Sequence, residues 1–266
     1  MKKDVFFDGI RALTGPLSMV QVKVAEAIID RAQSLSAQHL AYILATAWGE
    51  AKLTPKRENM NYSAKRIREV WPKRPEAVQF AGKPKALANS VYGGRLGNKL
   101  GTDDGWRFRG GGVDQLTGRD NYRRIGIEAR PEAILEPAFA AWSIVHGMTT
   151  GRYTGRKLAD YGDGATFSPR NARAIVNGDV KLNGAKYAAH YRVFLVALQE
   201  AGWQAATTPE PPNPEPPKPA AIEAPPKPAP QPPSPAPVAQ SPAPRFSIWA
   251  VIWAGLRAIL TRGSVK

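Results

Sequence analysis

Glu50 closes the run Ala45-Thr46-Ala47-Trp48-Gly49-Glu50, and its setting favours chemistry more than that of any other carboxylate in the chain. Leu40, Ile43, Leu44 and Ala47 recur at helical spacing, which predicts a buried face and puts Glu50 at the core edge beside Trp48. In a partly apolar setting the charged form of a carboxyl is disfavoured and its pKa rises, as a general acid requires. A plain carboxylate at a helix end is the alternative. A second stretch, Trp106 to Tyr122, places Gly110, Gly111 and Gly112 among Trp106, Gln115, Asn121 and Tyr122. Glycines let another molecule approach the backbone closely, and the surrounding amides and rings suit a polyhydroxylated ligand. The strip reads as the floor for such a chain. For Gln115 and Asn121 the other reading is that they fix the loop to its own backbone.

The elements holding these groups are expected to be mainly helical. Apolar spacing predicts a helix from Val20 to Ala32, and Ser36 can cap a second running to about Trp48. Ser63 opens a short helix that Pro72 ends, and Lys83 to Tyr92 forms one stopped by Gly93-Gly94. Further helices are expected from Thr117 or Gly118 to Ile125, Pro137 to Met148, after Ser168 through Val176, and about Ala185 to Ala201. Strand signal is sparse, enough for a small hairpin.

Composition removes several classes of function. There is no cysteine, which excludes disulfides, thiol catalysis and Cys-ligated zinc. His39, His146 and His190 are far apart, so no metal site is expected. The net charge is +15, of which +12 falls on residues 1–205, which favours an anionic partner. No helix-turn-helix, zinc-finger or RNA-reading aromatic pattern accompanies that charge, and nucleic acid is not the expected partner. The amino terminus Met1-Lys2-Lys3-Asp4-Val5-Phe6-Phe7 has no long apolar core after its lysines and is not a secretory signal.

Seventeen of the 25 prolines lie between Pro209 and Pro244, so the chain divides there. The expected organisation is a globular domain at 1–205, a Pro-rich linker at 206–245 and a tail at 246–266. At ~3.1 Å per residue the linker can reach on the order of 100 Å. The tail, Phe246 to Leu260, gathers Trp249, Ile252, Trp253, Leu256 and Leu260 on one face with Arg257 off it. An amphipathic membrane-surface helix is the first reading, with a short spanning anchor or a protein-docking helix as alternatives.

Six segments in order resemble glycoside hydrolase family 19, in its phage endolysin and bacterial branch. They are Ala45 to Glu50, Glu58 to Ala64, Val91 to Asn98, Asp104 to Gly110, Gln115 to Tyr122 and Ala174 to Gly178, spread over roughly 36–203. The resemblance implies a lysozyme-like domain of two helical lobes with a small β element. It also implies cofactor-free, inverting hydrolysis of β-1,4 links between N-acetylated sugars. Glu50 matches the family's acid, and Gln115, Asn121 and Asn177 match positions holding substrate or the attacking water. For Asn177 a plain turn is the alternative.

The chain departs from the family in places. Gly49 stands where histidine is usual, Gly110-Gly111-Gly112 replaces Gly-Arg-Gly, and Asp114 replaces an apolar residue. The base glutamate that many relatives carry before Asp-Gly-Trp is missing. Asp103 or Asp104 could serve, Asp103 preferred because Asp104 can fix the turn before Trp106; Glu58 is a third candidate, with bracing of the loop before Ser63 as its equal alternative. The expected activity is endolysin-type cleavage of peptidoglycan glycan strands by a monomer at the bacterial envelope, attached to lipid through 246–260. A chitinase, or a glycan-binding protein without catalysis, is the alternative.

Overall fold

A computed structural model describes residues 1–206 together with Pro216 and Pro217. The tail, and the linker apart from residue 206 and those two prolines, lie outside the described residues. No helix among the described residues is long and apolar enough to cross a membrane.

The protein is mainly helical and lysozyme-like, with two lobes. The larger lobe is built from α1 (Lys3–Thr14), α2 (Met19–Arg31), α3 (Ala37–Ala51), α8 (Pro137–Thr150) and α9 (Val180–Glu200). Its core joins Phe6, Ile10, Ile28, Leu40, Ile43, Leu44, Ile144, Tyr187 and Phe194, among others. Burying each such aliphatic or aromatic side chain fully contributes about 1.5–3 kcal/mol. Burial of this kind fixes α3, and α3 carries Glu50 at its end.

The caps follow the sequence closely. Ser36 accepts a hydrogen bond from the backbone N–H of His39, and Ser63 from that of Arg66. Ser18, not anticipated, forms a reciprocal capping box with Gln21. The first helix was not anticipated either. Phe6 and Ile10 are buried on it, and a side chain at Gly9 would run into Cβ of Ala197, 2.9 Å away. That small residue is what lets α1 lie tightly along α9.

The smaller lobe has two cores. One gathers Met60, Ile67, Val70, Trp71, Leu87, Val91 and Tyr92 around α4 (Ala64–Val70) and α5 (Pro84–Tyr92). The other gathers Phe108, Leu116, Tyr122, Ile134, Phe139 and Trp142. Between them run the four-residue α6 (Asp104–Arg107) and α7 (Arg119–Arg124). The expected hairpin is reduced to one antiparallel bridge, Gly111 with Leu116, closed by N–H···O bonds of 3.0 and 2.8 Å. The helix expected after Ser168 is a 3-10 turn at Asn171–Ile175, and α9 begins at Val180, ahead of the Ala185 expected.

Candidate active site

The glycine strip lies under the protein's own chain. The backbone N–H of Glu58 donates to Gly110 O at 2.7 Å, and that of Lys56 to Gly112 O at 3.5 Å. A Cβ at Gly110 would meet Glu58 and Gln115; one at Gly111 would meet Tyr122 Oη at 2.5 Å and Ile134 at 2.9 Å. The three glycines are therefore bare so that residues 56–58, Tyr122 and Ile134 can close on them. Gln115, at φ 54°, donates from Nε2 to Lys56 O and Gly112 O. Asn121 donates to Thr117 O at 2.6 Å. Tyr122 is fully buried, donates to Arg109 O and accepts from Arg57 Nη1 at 2.7 Å. In this conformation these three hold the loop in place, and Tyr122 has no free face for a sugar.

Glu58 is what that loop presents. It is partly buried, and Tyr92 Oη donates to both its carboxylate oxygens at 2.9 and 2.8 Å. Burial pushes its pKa up to about 7, and the Tyr92 hydroxyl, the Gly110 backbone and the Arg109 charge offset that only in part. Arg109 donates to Glu58 O and stacks 3.4 Å above the half-buried ring of Trp106. Glu58, Gln115, Trp106 and Tyr122 thus meet around one wall.

Glu50 belongs to the larger lobe. It is 7% exposed at the end of α3, and its neighbours are polar, where an apolar wall was expected. Arg173 Nη1 donates to Glu50 Oε1 at 2.5 Å and Tyr187 Oη to the same oxygen at 2.7 Å. Arg173 also donates from Nε to Asp179 Oδ1 at 2.6 Å. One guanidinium therefore lies between two carboxylates. Arg173 comes from the 3-10 turn and Tyr187 and Asp179 from α9 or its cap, so the trio ties those elements to α3. Asn177 is 2% exposed in the following turn, its N–H bonded to Arg173 O, and its side-chain Nδ2 has no partner among the described residues.

The departure at Gly49 has a steric cause. A Cβ there would collide with the ring of Tyr187, the residue that holds Glu50. Histidine at this position and tyrosine at 187 cannot coexist in this packing. Arg173, Tyr187 and Tyr92 were not foreseen. Arg173 did leave a signal: an arginine set among Ala172, Ala174, Ile175 and Val176 must find a charged partner once buried.

Asp103 and Asp104 are committed elsewhere. Asp103 is exposed and bound to Lys85 at 2.6 Å and Asn89 at 3.0 Å, and the Lys85 hydrogen bond chiefly holds its pKa below the ordinary value. Asp104 is 7% exposed, accepting from Arg119 and from the Lys99 N–H, each at 2.8 Å. It fixes the turn before Trp106. Among the described residues no group of histidines and acids could hold a metal ion.

Comparison with known proteins fits this chemistry. Over 89 residues the chain is 38% identical to a Haemophilus influenzae protein described as a glycosyl hydrolase family 19 domain-containing protein, a match covering 29% of this chain. It spans 44% of that relative's length. No family model matches the chain. The likeness supports a glycosyl hydrolase kind of function.

Proposed function

We propose that this protein hydrolyses β-1,4 links in the glycan strands of bacterial peptidoglycan, with Glu50 as proton donor and Glu58 as base. The observation that carries the reading is the pair of dissimilar, buried or half-buried carboxyls, one in each lobe, joined by residues 51–57. Glu50 has Oε1 fixed by two donors, so a proton it delivers to the leaving oxygen travels from Oε2. With Asp179 opposite Arg173, two carboxylates face one cation. Glu58 takes the part of the base in preference to Asp103. A carboxylate poised near 7 takes a proton from water better than Asp103, which Lys85 holds low.

In the reaction, Glu50 passes its proton to the glycosidic oxygen as the bond to the anomeric carbon breaks. Water, losing a proton to Glu58, adds to that carbon from the other side. Inversion needs room for the water, about 6.5–9.5 Å between the carboxyl groups. Asn177, whose Nδ2 has no partner among the described residues and whose backbone follows Arg173, is taken as a substrate contact in this reading. The basic globular part suits an anionic wall, and the tail at 246–260 would keep the enzyme at the membrane.

Purified peptidoglycan and release of reducing ends provide the test. Glu50→Gln and Glu58→Gln should each lower turnover by about a thousandfold with the fold retained by circular dichroism. Wild-type protein that releases nothing from peptidoglycan, or a Glu58→Gln variant at full rate, refutes the assignment. Cleavage of chitin alone would make the enzyme a chitinase.

A further inference from the structure

Three lysines gather where α3 ends, beside Glu50. Lys52 terminates the helix in the left-handed conformation, φ 55°, with its ammonium 4.2 Å above the Trp48 ring centroid. Lys186 precedes Tyr187 on α9 and lies 6.0 Å from the ring whose hydroxyl holds Glu50. Lys56 follows on the strip that leads to Glu58. None of the three has an ion-pair partner among the described residues.

They are close enough to disturb one another. Burial, then Lys186 and Lys56, lowers the pKa of Lys52; burial lowers that of Lys186, an effect that the Glu50 and Asp179 carboxylates offset in part and the Arg173 charge adds to. His190, one turn beyond Lys186, is 8% exposed, and burial and those two lysines push its pKa down to about 4, so it adds no compensating charge. Trp48 Nε1 and His190 Nδ1, in the same cluster, are buried without a partner among the described residues. A helix C-terminus favours one cation, which accounts for Lys52 alone. Lys186 lies in the first half of α9 and Lys56 outside any helix, so neither has that explanation.

We propose that Lys52, Lys56 and Lys186 form a subsite next to Glu50 that receives a carboxylate of the glycan substrate. The proposal rests on the hydrolase reading above and narrows it to acidic glycans. A carboxylate among unpaired ammonium groups forms charge-assisted hydrogen bonds and relieves their mutual repulsion. Chitin has no such group. Peptidoglycan has two sources: the stem peptide's carboxylates, or the lactyl carboxylate where the peptide is absent.

Calorimetric titration tests it, with four probes: soluble disaccharide-peptide fragments, the same fragments with carboxyls amidated, peptide-free strands bearing lactyl carboxylates, and neutral N-acetylglucosamine tetramer. Wild-type protein should bind at least one carboxylated probe about tenfold more tightly than the amidated and neutral ones. The tighter of the two carboxylated probes identifies the source. In Lys52→Gln/Lys56→Gln/Lys186→Gln, with folding checked by thermal melting, that preference should fall below about twofold. Equal binding of charged and uncharged probes by wild type, or a preference that survives in the triple variant, overturns the subsite. Preference without release of reducing ends would refute the hydrolase reading alone; cleavage without preference would refute the subsite alone.

Discussion

The two lobes treat a glutamate in opposite ways. On the larger lobe, Glu50 meets a guanidinium and a phenol, and its cation is shared with Asp179. On the smaller lobe, the Glu58 carboxylate meets a phenol, and burial raises its pKa with no cation bonded to that carboxylate among the described residues. Glu50 is thus fixed in position by charge, whereas Glu58 is adjusted in basicity by desolvation.

The comparison breaks most severely at Arg173. Arg173→Met leaves buried Glu50 and part-buried Asp179 with no cation between them, and should cost about 3–5 kcal/mol in thermal or urea unfolding. A loss below 1 kcal/mol would mean that the trio is solvated and does not fix Glu50.

Next comes the pH dependence of Glu58. Its folded pKa of about 7 lies above the ordinary 4.5, so between those values the folded protein holds more protons than the unfolded chain. The stabilisation is complete below about 4.5 and lost as pH rises through 7, on the order of 3 kcal/mol in total. Glu58→Gln should remove this slope. Against wild type it should gain stability from pH 4.5 to 7 and hold the gain above that, although it is inactive. Parallel stability curves for the two proteins would show that burial does not tune Glu58.

The smallest effect is expected at Asp103. Asp103→Asn loses an exposed pair with Lys85, and should change stability by less than about 0.5 kcal/mol and turnover by less than about twofold. A hundredfold loss of turnover would return the base to that loop.

Local chemistry made most helices legible. Ser36 and Ser63 cap where hydroxyls precede apolar periods, and Pro72 and Gly93 follow the ends of α4 and α5. The first helix is not legible in the sequence because its apolar residues, Phe6 and Ile10, find their partners on the distant α9, with Gly9 against Ala197 and Phe6 near Phe194. The site was legible in part. Glu50 stood out through its flanking residues, but Arg173 and Tyr187 lie more than 120 positions away and reach it only through the fold. The glycines misled for a related reason: bare backbone announces a close neighbour without saying which one. Asp103 was favoured by its place before Asp-Gly-Trp, whereas burial under Tyr92, which no spacing reveals, sets Glu58 apart.

Chemical rescue tests the assignment most directly. A small anion can replace the attacking water without surrendering a proton, so Glu58→Ala in azide should recover cleavage of β-linked strands and yield the α-glycosyl azide. No azide product from Glu58→Ala, with such a product from Asp103→Ala under the same conditions, would contradict the account and move the base to the exposed loop.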